Sequence, residues 1–138
     1  MPSIKRSLPL LALAALVTAV SPAWAQDSTR KELRRVDLSG APGMEVILSV
    51  TELKPGDELP AHFHHGVEAG YVLEGGTFAV AGKPSIVVET GSPIMNLRDV
   101  PHAGYKVAGD KTIKLLTVHI VDKGKPLYDA PENAPKKK

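Results

Sequence analysis

The chain has 138 residues, with 17 Lys and Arg against 15 Asp and Glu and a formal net charge of +2. This length suits one domain, and the near balance of charge leaves no basic footprint for nucleic acid or an anionic membrane. Because the chain has no cysteine, a packed core, helped by any bound metal, has to stabilise it without disulfides.

The first 25 residues have the pattern of a secretory signal peptide. Lys5 and Arg6 precede an apolar run from Leu8 to Val20, and a small-x-small cleavage site ends at Ala25. The run is shorter than the roughly 20 residues that a membrane-spanning helix needs. We therefore expect cleavage after Ala25 and a periplasmic or secreted chain that is not held at a membrane. Loss of the two basic residues takes its formal net charge to zero.

Residues 26–43 form a charged N-terminal arm. We expect one short helical turn or no regular structure at its start, and then a short strand at Leu33–Leu38. At the other end, residues 122–138 are rich in Lys, Pro, Glu and Asn. This composition predicts a flexible C-terminal tail, from which only Leu127 or Tyr128 would dock on the domain.

Residues 44–121 alternate between short apolar runs and turns that contain Gly or Pro. In Met44–Thr51 the even-numbered residues are apolar and the odd-numbered ones polar, except Ile47, which predicts a half-buried strand. Further strands are predicted at 61–64, 68–73, 77–81, 85–89, 93–97, 105–107 and 112–121. Turns about 8–12 residues apart indicate a single all-β domain, either a sandwich or a barrel.

The candidate functional residues are three histidines and one carboxylate. His62 and His64 are two apart, so on an extended strand their imidazoles face the same side. Glu68 follows four residues later, and His102, after a Pro-containing loop, is the natural fourth ligand. Such a set binds one divalent transition metal (Fe, Mn, Ni, Cu or Zn) and leaves coordination positions open. The alternative is a pair of solvent-facing histidines and a solvated carboxylate.

Other residues have weaker predictions. His65 has the opposite parity to His64 and is expected outside the ligand set, and His119 in the last predicted strand is expected to have a structural or surface role. The candidate pocket residues are Phe63, Tyr71, Met95 and Tyr105, of which Phe63 ranks lowest because its parity opposes that of both neighbouring histidines.

The spacing of these residues resembles the first cupin motif without a gap: Gly56, His62, His64, Glu68 and Gly75 are separated by five, one, three and six residues. The resemblance extends over about residues 44–121. It implies a double-stranded β-helix, the jelly-roll or cupin barrel, with His62, His64, Glu68 and His102 as metal ligands inside its mouth.

The second cupin motif is degenerate. Gly91 and His102 stand at the motif spacing, but Leu97, Asp99 and Lys106 replace its Pro, Gly and Asn. We therefore expect a turn of different shape before His102, with Pro101 supplying stiffness beside the ligand.

The resemblance leaves several functions open. Small proteins of this kind resemble dioxygenases of the quercetin dioxygenase type, which favours a metal-dependent oxidoreductase on a small organic molecule, with Glu68 also a candidate catalytic base. The alternatives are a non-catalytic periplasmic binding or sensor protein and a domain whose metal is only structural. Because exposed sheet edges pair between subunits, a homodimer is also expected.

Overall fold

The computed structural model describes residues 29–136, so the predicted signal peptide lies outside the described residues. Within this range the chain forms nine strands and one short 3-10 helix, Pro131–Asn133, but no α-helix. The strands are β1 Arg30–Asp37, β2 Met44–Leu53, β3 Glu58–Leu59, β4 Gly66–Glu74, β5 Gly76–Val80, β6 Lys83–Val88, β7 Pro93–Asn96, β8 Tyr105–Ala108 and β9 Ile113–Asp122.

The strands form two antiparallel sheets, one in the order β1-β2-β9-β4-β7 and the other in the order β3-β8-β5-β6. β9 pairs along its length with β2 and with β4, so the last long strand lies at the centre of the larger sheet. Consecutive strands alternate between the sheets from β2 to β5 and again from β6 to β9, whereas β5 and β6 form a hairpin within the smaller sheet; this is the manner of a double-stranded β-helix. The predicted all-β jelly roll is confirmed.

The interior face of β2 is its polar face. The odd-numbered residues are buried, among them Glu45, Ile47 and Ser49, whereas the even-numbered apolar residues are only half-buried. The buried polar groups are satisfied by β1, since Arg35 donates to Glu45 Oε1 at 2.6 Å and Arg30 to Ser49 Oγ at 2.8 Å. Alternation therefore located the strand, but its buried face is set by arginines from the neighbouring strand.

The apolar core lies at one end of the space between the sheets. Leu53, Phe78, Val107 and Ile113 are buried and pack together. Leu59, Val88, Tyr105 and Leu115 pack against them. At the level of Ile47, further along β2, β9 places His119 inward and the adjacent β4 places Glu68. The barrel interior thus changes from apolar to polar along its length.

Two local predictions are wrong. The N-terminal arm is a regular strand from Arg30, earlier than the expected start at Leu33, because its register with β2 runs from Arg30–Thr51 to Asp37–Glu45. Residues 61–64 do not form a strand: His62 and Phe63 make only isolated bridges, to His102 and Asp129.

The C-terminal segment is docked instead of standing away from the domain. β9 continues to Asp122, and Phe63 and Asp129 exchange both backbone hydrogen bonds at 3.0 Å. Tyr128 is 9% exposed, and its ring centroid lies 5.0 Å from that of His62. A flexible tail throughout 122–138 is therefore the wrong description of residues 122–136, whereas the docking of Leu127 and Tyr128 is what the structure shows.

No helix in the described part of the chain has the length and apolar character needed to cross a membrane.

Candidate metal centre

Backbone hydrogen bonds join the two predicted motifs. His62 and His102 exchange N–H to O bonds of 3.0 and 2.8 Å, and the N–H of Asp99 donates to His64 O at 2.9 Å. These bonds fix three histidine backbones from two distant chain segments against each other. The four predicted ligands therefore meet at one end of the barrel although residues 61–64 form no regular strand.

The turn before His102 depends on a left-handed residue. Asp99 has φ = 59°, a conformation that favours glycine but that Asp adopts more readily than most side chains. It stands where the cupin motif has glycine, so the aspartate fills the conformational role of the residue it replaces. The expectation that the turn would differ because Asp99 is not glycine is not supported at this residue.

Each of the three histidines is oriented by a carbonyl oxygen. The Nδ1–H of His62 donates to Pro60 O at 2.8 Å, that of His102 to Val100 O at 3.0 Å, and that of His64 to Leu127 O. Because a carbonyl only accepts, the proton lies on Nδ1 and the lone pair on Nε2. This is the arrangement of metal-ligating histidines, in which the second nitrogen is held by an outer partner.

The Nε2 lone pairs converge with no donor between them. The Nε2 atoms of His64 and His102 are 3.2 Å apart, and Glu68 Oε2 lies 3.3 Å from the first and 3.6 Å from the second. Two ligands of one ion, each at about 2.1 Å, are about 3.0–3.4 Å apart in octahedral or tetrahedral geometry. The three acceptors are therefore spaced as ligands of one cation.

Two overlapping groups of donor atoms could hold a metal ion. His62, His64 and His102 form one, and His64, Glu68 and His119 form the other, with all donor atoms of a group within 4.8 Å of one another. Glu68 thus lies between the two groups. Its Oε2 faces His64 and His102, whereas its Oε1 is 3.4 Å from His119 Nε2.

The charge states fit a cation site. Burial lowers the pKa of His62 to about 4, and it also lowers the pKa of His102 and of His119. Burial alone would raise the pKa of Glu68, but hydrogen bonds and charge from His119 and His64 in their protonated forms outweigh it and hold that pKa below its ordinary value. At neutral pH these three imidazoles are neutral and the carboxylate is ionised, so a metal binds them without first displacing protons.

His65 and Phe63 lie next to the predicted ligands in sequence but are not part of the donor groups. His65 belongs to neither donor group; its Nε2 is 3.0 Å from Asp129 Oδ2 and its Nδ1 is 3.6 Å from Asp99 Oδ1. It ties the C-terminal segment to the loop before His102. Phe63 is fully buried and contacts His65, with ring centroids 5.0 Å apart, and it does not line the cavity.

The sequence reasoning missed two residues of the site. Asn96 donates from Nδ2 to Glu68 Oε2 at 2.6 Å. The two residues lie opposite each other in the β4–β7 register, which cannot be predicted without knowing that these strands pair. His119, assigned a structural or surface role, is fully buried against Glu68 and is not a surface residue. Knowledge that His119 lies opposite Glu68 in the β4–β9 register would have placed it in the site.

A cavity of about 210 Å³ opens beside the cluster. His62, Glu68 and His102 form its polar side, and Tyr105 also lines it, whereas Tyr71 and Met95 are exposed on the outside. Thr117 lines it with a buried hydroxyl that has no hydrogen-bond partner in the described structure. The remaining wall is mainly apolar: Leu59, Phe78, Ile86, Val88, Ile94 and Leu115.

Comparison with known proteins gives a family match and several structural relatives. A family model described as a cupin domain matches residues 49–119, whereas no curated protein matches the chain. Among solved structures, the chain is similar to an uncharacterized conserved protein with a double-stranded beta-helix domain from Klebsiella pneumoniae subsp. pneumoniae. The TM-score is 0.53 at 13% identity, over 80% of this chain and 99% of that one.

Two further structures are similar. A cupin-2 domain from Rhodospirillum rubrum has a TM-score of 0.51 at 16% identity, over 75% of this chain and 66% of that one. The polyketide cyclase RemF from Streptomyces resistomycificus has a TM-score of 0.48 at 24% identity, over 76% of this chain and 82% of that one. The likenesses with TM-scores of 0.53 and 0.51, at 13% and 16% identity, show a shared fold alone.

Proposed function

The chain belongs to the cupin family, and on that premise we propose that it is an exported, metal-dependent oxidoreductase of the dioxygenase-like kind. In this proposal His62, His64, Glu68 and His102 hold one divalent transition metal, which is Fe, Mn, Ni, Cu or Zn. Its substrate is a small organic molecule bound in the adjoining cavity.

One observation carries the proposal: the facing lone pairs of His64 and His102, 3.2 Å apart beside the Glu68 carboxylate. With their protons held on Nδ1, these atoms are all acceptors and repel one another unless a cation lies between them. His64 is fully buried and His62 is 2% exposed, so water screens the cluster little. A divalent ion with imidazole and carboxylate ligands satisfies all of these atoms together.

The cavity defines the class of substrate. Its volume of about 210 Å³ exceeds the roughly 150 Å³ cavity that holds benzene, which suits a single substituted ring or a short chain. The apolar wall binds the body of such a molecule, and Thr117 Oγ1 is placed to hydrogen-bond a polar substituent. Glu68 and Thr117 project from β4 and β9 two register positions apart, about 7 Å along the strands. A substrate with a metal-binding oxygen at one end and a polar group at the other fits this spacing.

The chain's own residues orient the metal ligands and shield them from solvent. The carbonyls of Pro60, Val100 and Leu127 fix the imidazoles, and Tyr128 packs against His62 and His64 to shield them from solvent. Glu68, held by Asn96, is the group placed to accept a proton from a bound hydroxyl. A bound transition metal would supply open positions for a substrate oxygen and for dioxygen.

Oxygen consumption tests the proposed reaction. Protein loaded separately with Fe(II), Mn(II), Ni(II) and Cu(II) is supplied with single-ring diols, diketones and thiols in an oxygen electrode. The proposal predicts consumption with at least one pair and none with His64→Ala, while His65→Ala, outside both donor groups, retains it. If no pair consumes oxygen although the protein binds metal, the oxidoreductase proposal fails.

A non-catalytic binding or sensor protein is the second candidate. Glu68 is the only carboxylate that lines the cavity within residues 29–136, so general acid–base groups are scarce. If the chain is a binding or sensor protein, a small molecule should co-purify on the metal and be recovered chemically unchanged after incubation in air. Recovery of an oxidised product would favour the enzyme instead.

Export and self-association complete the proposal. Cleavage after Ala25 predicts that Gln26 is the first residue of protein recovered from the periplasm or medium, which N-terminal sequencing measures.

The outer face of the larger sheet exposes Tyr71, Met95 and Leu97 at 50%, 64% and 60%, which supports a homodimer. Light scattering should give twice the monomer mass, and Met95→Glu should reduce it.

A further inference from the structure

His119 is a buried histidine with unmet polar atoms. It is fully buried, and neither ring nitrogen has a well-aligned hydrogen bond in the described structure, the nearest polar contact of Nε2 being Glu68 Oε1. A buried polar group without a well-aligned partner is unfavourable, and such a group in a folded protein is explained by an unseen partner such as a bound ion. His119 stacks edge-on against His64, with ring centroids 4.7 Å apart, and its Nε2 is 3.4 Å from Glu68 Oε1.

We propose that His64, Glu68 and His119 form a second, inner position for a divalent metal ion. It is distinct from the outer position, where His62 and His102 join His64 and Glu68. The donor atoms of the inner set lie within 4.8 Å of one another. Two imidazoles and one carboxylate make up the facial triad of non-haem Fe(II) oxygenases, which leaves coordination positions open.

The two positions exclude each other. His64 Nδ1 is engaged by Leu127 O, so only its Nε2 is free, and one nitrogen lone pair binds one ion. The carboxylate contacts both positions, because Oε2 faces His64 and His102 and Oε1 faces His119. One chain therefore holds one ion at a time, at either the outer or the inner position.

The composition of each set predicts which metal it takes. The inner set, with two imidazoles and one carboxylate, suits the harder Mn(II), whereas the outer position, with three imidazoles beside the same carboxylate, is richer in nitrogen and suits Zn(II) and Cu(II). The inference rests on the proposed metal binding and deepens it, since the identity of the ion then decides whether His119 or the pair His62 and His102 completes the site.

Variants that remove the outer position test the inner one. His62→Ala/His102→Ala retains all three inner donors, so Co(II) calorimetry should still find one ion per chain, bound about 10–100-fold more weakly than in wild-type protein because the outer position is gone and the inner one has lost its neighbouring imidazoles. Adding His119→Phe, which keeps a ring in the space, should abolish binding. Adding His65→Ala instead should leave binding unchanged. Circular dichroism confirms that each variant is folded.

The outcomes separate this inference from the proposed function. If wild-type protein binds Co(II) and the folded double variant does not, the inner position is overturned and the proposed function stands. If the wild-type protein binds no metal, both fail.

A measurement on wild-type crystals needs no variant. Anomalous scattering from Mn(II) should place the ion about 2.0–2.3 Å from His119 Nε2, and Zn(II) should lie instead beside His62 and His102. Mn(II) bound by His62 and His102 without His119 would overturn the inference.

Discussion

Acid should destabilise the metal-free protein through His62. This side chain is 2% exposed, and burial lowers its pKa from 6.5 to about 4. Between those pH values the unfolded chain binds a proton at this position and the folded chain does not, so the free energy of unfolding falls as the pH falls. The difference between the two pKa values corresponds to about 3 kcal/mol.

The two other buried histidines also lower the free energy of unfolding as the pH falls. Burial lowers the pKa of His102 and His119, so each also favours the unfolded state below its ordinary pKa. The pKa of Glu68 is held low, so its contribution is present above its ordinary value of 4.5 and is lost as the pH falls further. The window from pH 6.5 to about 4 is therefore dominated by the histidines.

Urea unfolding of chelator-treated protein at pH 7.0, 5.5 and 4.5 measures this loss. Wild-type protein should lose about 3 kcal/mol or more across the window, and His62→Gln should lose markedly less, since glutamine does not titrate. Equal losses in both proteins, or a wild-type stability independent of pH, would refute the assignment of His62 as a histidine buried in its neutral form.

Three substitutions test the support of Glu68, the polar group of the cavity and the packing behind the histidines. Asn96→Leu removes the 2.6 Å hydrogen bond to Glu68 Oε2 and should weaken metal affinity about 10–100-fold by calorimetry; unchanged affinity would mean that Asn96 does not hold the ligand. Thr117→Val leaves volume nearly constant but removes the unpartnered cavity hydroxyl, so it should raise KM for a polar substrate and leave metal content unchanged. Phe63→Ala empties a fully buried site behind the histidines and should cost about 3–5 kcal/mol in urea, with one metal still bound at low temperature.

Local patterns in the sequence were sufficient to predict most of the strands and the first motif, although residues 61–64 do not form the predicted strand. His62, His64 and Glu68 lie within seven residues, and their spacing alone predicts shared orientation. Strand spacing predicted a sandwich or a barrel, and the resemblance of this motif to the first cupin motif implied the jelly roll. Neither depends on how distant segments pair, which is why both were accessible without a structure.

Features that depend on strand register were missed. His119 lies opposite Glu68 only because β9 pairs with β4, and Asn96 only because β7 does. The polar face of β2 turns inward because Arg30 and Arg35 from β1 satisfy it. None of these contacts has a local pattern in the chain, since each joins residues at least ten positions apart.

The C-terminal segment shows the limit of composition. Residues 122–138 have the composition of a disordered tail, yet the carbonyl of Leu127 accepts the Nδ1–H of His64 and Asp129 contacts His65. Few apolar residues are needed when the docking is made by hydrogen bonds to the buried His64 and the half-buried His65.

The metal content per chain, compared between wild-type protein and His64→Ala, is the most direct test of metal binding by the histidine cluster. His64 is the ligand common to both donor groups. Elemental analysis after purification from the native compartment should find one divalent transition-metal ion per wild-type chain, almost none in folded His64→Ala and an unchanged content in His65→Ala. Full metal content in His64→Ala, or a wild-type protein that binds no transition metal when it is supplied, would contradict the account.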